Sequence, residues 1–318
     1  MADNLGQDLV AEDLELSQVD KTVTSEGFAY TRLDCVGKQI GGLGILAEYP
    51  FIRNLDLSRN CIKDVRPISS LRHVLSLNLA SNHILSMDWA PEDLPHLLYL
   101  DMSGNRLQEL PPLHMPALRN ADFRDNSIAS CSKFSGHLTL QMLRLCGNQL
   151  TSAVGLQQMP KLEVLELGRN VLSDLDGMAM LPSMSRLDIS SNKFETLRAP
   201  WKEMAALSIL EAANNAFAEV KALQPLAEII QLRSLTVNGC PLEEQDGVNM
   251  RLEVLIFRPL QHINGEEVTS EEQEEAKALH EKRLEEEAER LRQEEEDQHR
   301  LDSARPTAPA LTPSGRRV

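Results

Sequence analysis

Residues 37 to 44 read GKQIGGLG, four glycines and a lysine in eight positions, a composition suited to cradling a phosphate with backbone N–H groups and an ammonium. A P-loop sets its glycines ahead of a lysine that is followed by Ser or Thr and opens a helix, so that amides, ammonium and hydroxyl converge on phosphate and magnesium. Here Gln39 follows Lys38 and most of the glycines come after it, so order and chemistry both argue against a nucleotide site. The five cysteines, Cys35, Cys61, Cys131, Cys146 and Cys240, are odd in number and show no zinc or redox spacing, which suits a reducing compartment. Cys35 and Cys240 read as buried small hydrophobes. Cys146 is expected on an exposed face, a lone thiol with no base beside it. The eight histidines are scattered without an H-E-x-x-H pattern. No catalytic, cofactor or metal site is therefore expected.

What positions these residues is a period. Asn60, Asn82, Asn105, Asn126, Asn148, Asn170, Asn192 and Asn215 follow one another at intervals of 21 to 23 residues. Each closes the pattern L-x-x-L-x-L-x-x-N-x-L, as in LEVLELGRNVL with Leu162, Leu165, Leu167, Asn170 and Leu172. This is the leucine-rich repeat. Weaker copies at Tyr30 to Ile40 and Leu232 to Cys240 give about ten units, the end units atypical because they cap the stack. The fold class expected is α/β, a curved leucine-rich-repeat solenoid of the short 22-residue class. It has a parallel concave sheet, a C-terminal cap and a projecting charged helix.

The pattern assigns each position a physical task. Period-2 leucines such as Leu55 and Leu57 mark a short strand with its apolar side inward. No unit is stable alone: burying one leucine is worth about 1.5 to 3 kcal/mol, less than the entropy of ordering some twenty residues. The asparagines form a structural ladder, because an amide can both donate to and accept from backbone groups buried in the turn. Apolar steps of three after the asparagine, Ile62, Val65, Ile68 or Leu172, Leu175, Met178, line the convex side. Trp89 and Trp201 fall where two units lengthen to 23 and read as bulky wedges in irregular turns.

On this reading residues 1–27 form an N-terminal cap, with Leu9, Val10, Leu14, Leu16 and Val19 as a short amphipathic helix. The solenoid spans 28–240 and a C-terminal cap 241–268, with Pro241, Arg251, Leu252, Leu255, Pro259, Leu260, Ile263 and Asn264. A charged helix follows at 269–301, opened by a capping box of Ser270 and Gln273, and a proline-rich, disordered tail at 302–318. Leu284, Ala288 and Leu291 are candidate helix contacts, though they give about one heptad, short of the three or four of a coiled coil.

Net charge is −16. Residues 266–297 hold fifteen acids against five bases, so the surplus is concentrated in that helix. This balance argues against nucleic acid and anionic membranes. The opening MADNLGQDLV has no basic stretch leading into an apolar core, and no run approaches membrane-spanning length. One further row stands out: Asp34, Asp56, Asp101, Asp122, Glu166, Asp188 and Glu211 occupy the outward strand position that should face the concave side, interrupted by Asn78 and Arg144. Like charges about 4.8 Å apart repel, and a basic partner would relieve that. The alternative is solvated surface charge, partly neutralised by Arg32, Arg124 and Arg186.

Several stretches carry more than the generic repeat: EGFAYTRLDCVGKQI into FIRNLDLSRNCIKD, GNQLTSAVGLQQMPKLEVLELGRN, WKEMAALSILEAANN, and the cap running into a Glu/Arg helix. Over residues 9 to 295 the chain resembles the leucine-rich repeat-containing protein 23 family of axonemal radial-spoke proteins. Departures are Lys38 and Cys240 in place of asparagines, Met250 where caps often carry an aromatic, and the absence of a long acidic N-terminal extension. The resemblance implies a non-enzymatic radial-spoke component of motile cilia or flagella, in the third spoke, with axonemal location. Its partners would be other spoke proteins met through a basic surface, with no nucleic acid, membrane or small-molecule substrate. The acid row argues against docking directly on acidic tubulin. Rival readings are a leucine-rich-repeat regulatory subunit of protein phosphatase 1 and, with fewer repeats, an axonemal dynein light chain.

Overall fold

The computed structural model describes residues 6–21, 27–87, 94–244 and 249–303; Trp89 and the expected tail beyond residue 303 lie outside the described residues. The chain divides into two units, Met1–Val268 and Thr269–Val318.

The first unit is a stack of coils. Its strands are β1 (Gln7–Asp8), β2 (Glu15–Lys21), β3 (Phe28–Asp34), β4 (Ile40–Gly42), β5 (Asn54–Asp56), β6 (Ser76–Asn78), β7 (Tyr99–Asp101), β8 (Asn120–Asp122), β9 (Met142–Arg144), β10 (Val164–Glu166), β11 (Arg186–Asp188), β12 (Ile209–Glu211), β13 (Ser234–Thr236), β14 (His262–Ile263) and β15 (Glu266–Glu267). From β3 to β14, skipping β4, neighbours pair in parallel, with antiparallel strands β2 and β15 at the two ends. Leu33, Leu55, Leu77, Leu100, Ala121, Leu143, Leu165, Leu187, Leu210, Leu235 and Ile263 share one register. All are buried. The middle residue of each three-residue strand points into the core and its neighbours point out, as the alternation of a strand requires.

The convex return is made of turns and short 3-10 helices, among them Gly44–Glu48, Arg66–Ser70, Trp201–Glu203 and Val220–Glu228. Ile62, Val65 and Ile68 and their counterparts in later coils are buried beneath them. Trp201 is also buried, its indole N–H donating to the Leu197 carbonyl at 3.0 Å, so it packs as a wedge.

At the N-terminus the expected amphipathic helix is replaced by strands. Residues 15–21 pair antiparallel with β3, and a 3-10 turn at Ala11–Asp13 precedes them. An uncovered β3 would present a row of unpaired backbone groups; a strand pairs them and a helix cannot. Leu9 is buried while Val10 and Val19 are exposed. Lys38, where the asparagine ladder would begin, donates its ammonium to the Asp13 carbonyl at 2.8 Å and pairs with Glu15 at 2.8 Å. The glycines of the opening stretch also find a role. β1 lies parallel against β4, and a Cβ on Gly6 would sit 2.5 Å from the Gln39 carbonyl oxygen, one on Gly41 2.9 Å from that of Gly6. Gly41 thus forms a seat for the N-terminal segment, while Gly37 and Gln39 take the positive φ of the turn before it.

At the other end α1 (Met250–Phe257) is N-capped by Asn249 and buries Leu252, Val254 and Leu255. Arg251 reaches the Ile263 and Glu267 carbonyls and the Glu266 carboxylate. Ile263 carries the core row one strand past the repeats.

The second unit is the helix α2 (Ser270–Ser303), about 51 Å long at 1.5 Å per residue. Its capping box is one position earlier than expected. Thr269 Oγ1 accepts from the Glu272 N–H at 3.2 Å and Glu272 Oε2 accepts from the Thr269 N–H at 2.9 Å. Threonine and glutamate make the reciprocal pair more strongly than Ser270 with Gln273, because a carboxylate is the better acceptor.

Candidate partner-binding face

The ladder fixes the concave sheet. Asn148 Nδ2 donates to the Leu145 and Cys146 carbonyls of its own coil and to Phe123 of the preceding one, while its Oδ1 accepts from the Ile128 N–H at 3.0 Å. Asn60, Asn82, Asn105, Asn126, Asn170, Asn192 and Asn215 repeat this pattern. After the last coil Cys240 presents only a sulfur, which accepts from the Asn215 N–H at 3.3 Å. Asn264 Oδ1 instead accepts from Val237 N–H at 2.8 Å.

The strand register aligns Asp34, Asp56, Asn78, Asp101, Asp122, Arg144, Glu166, Asp188, Glu211 and Thr236 in one row. Their carboxylates are not equivalent. Asp56, Asp101, Asp122 and Asp188 each accept, through Oδ1, from the backbone N–H two residues on, at 2.8 to 3.0 Å. Asn78 does the same for Ala80. These are Asx turns, and they make the acids part of the turn that ends each strand. The signal was in the sequence: Asp-x-Ser at 56–58, 101–103 and 188–190.

Cations absorb much of what remains. Arg32 pairs with Asp34 at 2.6 Å, Arg124 with Asp122 at 2.7 Å and Arg186 with Glu211 at 2.8 Å. The carboxylates raise the Arg32 and Arg124 guanidinium pKa values through these hydrogen bonds. Arg144 lies between Asp122 at 3.8 Å and Glu166 at 3.4 Å. Asp122 is itself buried, which removes it from the open surface. Asn78 Nδ2 binds Asp56 Oδ2 at 3.0 Å.

Four of the five cysteines, Cys35, Cys131, Cys146 and Cys240, are buried and Cys61 is half-buried. Cys146 is buried, against expectation, and burial, reinforced by Asp188, pushes its thiol up to about 12. Burial drives Cys131 to about 12 as well and raises Cys35 and Cys240. His137 is buried below the strands with Nε2 3.0 Å from the Met115 carbonyl, and burial lowers its pKa. Leu284 and Leu291 on α2 are half exposed and Ala288 is exposed.

The family descriptions that match are Leucine Rich repeats (2 copies) over residues 138–180 and Leucine Rich Repeat over 96–118. This chain is a leucine-rich-repeat solenoid. It is similar to human leucine-rich repeat-containing protein 23, 29% identical over 322 aligned residues that take in 94% of this chain and 84% of the human one. The bovine counterpart is 27% identical over 86% of this chain and 78% of its own. Mouse cilia- and flagella-associated protein 410 is 30% identical over 106 residues, 32% of this chain and 43% of that protein. Among solved structures, an internalin of Listeria monocytogenes superposes with a TM-score of 0.61 at 20% identity, covering 76% of this chain and 71% of its own. That likeness is of fold alone. Leucine-rich-repeat solenoids present extended surfaces for protein partners, and that coarse role holds for this chain.

Proposed function

We propose that this protein is a non-enzymatic scaffold of the ciliary or flagellar axoneme, a component of the radial spoke, supporting motility through protein contacts. The observation that carries the reading is the extent of the similarity to leucine-rich repeat-containing protein 23: it runs over 94% of this chain, and so takes in the non-repeat ends together with the repeats. A match to the generic repeat alone would stop at the coils. The shorter match to a cilia- and flagella-associated protein supports the same location. The concave row, above all the carboxylate oxygens left over by the Asx turns, is the face offered to a basic partner surface, and Leu284, Ala288 and Leu291 of α2 are a second contact.

The test is to tag the full chain in a flagellated cell, extract the membrane and matrix with detergent, and image the doublets. Retention at a regular repeat along the doublets, in register with the third spoke, is the expected result. Complete solubilisation together with protein phosphatase 1 would overturn the reading in favour of a phosphatase regulator.

A further inference from the structure

Strands β6 to β9 form an open hollow of about 280 Å³ on the concave face, lined by Ser76, Asn78, Tyr99, Asp101, Asn120 and Arg144 among others. Sites that hold a drug-sized ligand run from roughly 300 to 1,000 Å³, so this one suits a single side chain. Its walls differ from the rest of the row. Tyr99 stands 48% exposed and, two positions from Asp101 in the same strand, faces the same way. Asp101 Oδ1 accepts from the Ser103 N–H at 2.9 Å and hydroxyl at 2.6 Å, while Oδ2 has no hydrogen-bond donor among the described residues. On either side the row is satisfied: Asp56 by Asn78, Asp122 by Arg124 and Arg144. The Arg144 charge is divided between Asp122 and Glu166, leaving little for an anion.

We propose that this hollow receives one arginine side chain of the partner, its guanidinium stacked on the Tyr99 ring and bonded to Asp101 Oδ2. The inference rests on the reading of the concave face as a docking surface and names the chemistry of its centre. A planar guanidinium lies flat on an aromatic face while its edge donates to a carboxylate oxygen, a geometry that the compact lysine ammonium matches less well.

The chain has three tyrosines, so full-length protein labelled with 3-fluorotyrosine gives signals that single substitutions assign. The probes are a blocked Gly-Ser-Gly-Arg-Gly-Ser-Gly peptide and the same peptide carrying citrulline, the uncharged isostere. The arginine peptide is expected to shift the Tyr99 signal saturably and leave Tyr30 and Tyr49 in place, with no response to citrulline. Asp101→Asn should weaken binding roughly tenfold. It should also keep the melting temperature, because Asn78 in the same register makes the same turn with an amide. An immobile Tyr99 signal, an equal response to citrulline, or unchanged binding by Asp101→Asn each overturn the proposal. Loss of axonemal retention with the Tyr99 response intact would overturn the ciliary reading alone.

Discussion

Asn148 joins two coils by four hydrogen bonds from a buried position. Leucine in its place has the same branched skeleton but more bulk and none of the bonds, so Asn148→Leu strands the buried Ile128 N–H and takes one donor each from the Phe123, Leu145 and Cys146 carbonyls, which keep Asn126, Asn170 and the Asp125 N–H. One buried group left unpaired costs about 1 to 3 kcal/mol and each further lost bond about 1 kcal/mol, so the urea midpoint is expected to fall by the equivalent of about 3 kcal/mol. His137 supplies a pH response. Thr139 N–H lies 3.4 Å from Nδ1 and Nε2 faces the Met115 carbonyl, an arrangement that suits the neutral ring with its proton on Nε2. Its folded pKa is lowered by burial, so the unfolded chain takes up the proton first and stability falls as pH drops below about 6.5. Urea titrations at pH 7 and pH 5 should show this loss, and His137→Gln should reduce it. At this scale the sequence named the asparagines and the acid row, since spacing alone carries them. The Asp-x-Ser spacing marked the Asx turns, but not which second oxygen meets a cation, because that depends on the rotamers of side chains in neighbouring coils. Nor did it reveal that Cys146 is covered, because the cover comes from adjoining coils.

Among the elements, the register of the short strands was legible and the N-terminal cap was not. Leucines two apart and asparagines 22 apart leave no other solution for the repeats. Leu9, Val10, Leu14, Leu16 and Val19 fit a helical stripe and a strand equally well, and the choice was made by the bare edge of β3, the strand that follows. The same segment explains the glycines. A Cβ on Gly6 meets the Gln39 carbonyl, the Gly41 nitrogen and the Cys61 Cβ within 2.5 to 2.8 Å, so Gly6→Ala should lift β1 from β4. Amide exchange at Gln7 and Leu9, which donate to the Gln39 and Gly42 carbonyls, is expected to accelerate by tenfold or more, roughly the loss of one net hydrogen bond. Gly44→Ala, whose Cβ would meet nothing within 4 Å, serves as the control and should leave those amides unchanged.

Across the whole repeat unit each coil touches chiefly the one before and the one after, so stability is a sum over neighbours. A defect at the centre therefore severs the array where one at an end only frays it. Leu165 in β10 is fully buried, and Leu165→Ala should cost about 2 to 5 kcal/mol. Beyond its size, the loss should show as a two-step urea curve, whereas Leu235→Ala in β13, near the C-terminal end, should shift the midpoint and keep a single step. A single step for both would mean that the caps couple the array more tightly than neighbour contacts allow.

The asparagine ladder also runs in one direction. Every amide reaches back to the carbonyls and N–H groups of the preceding coil, so no coil is complete until the next asparagine arrives some 22 residues later. A chain leaving the ribosome at about 5 to 20 residues per second thus keeps its newest coil unfinished for about one to four seconds at a time. The closing Asn264, which reaches back to Val237, is the point at which that delay ends.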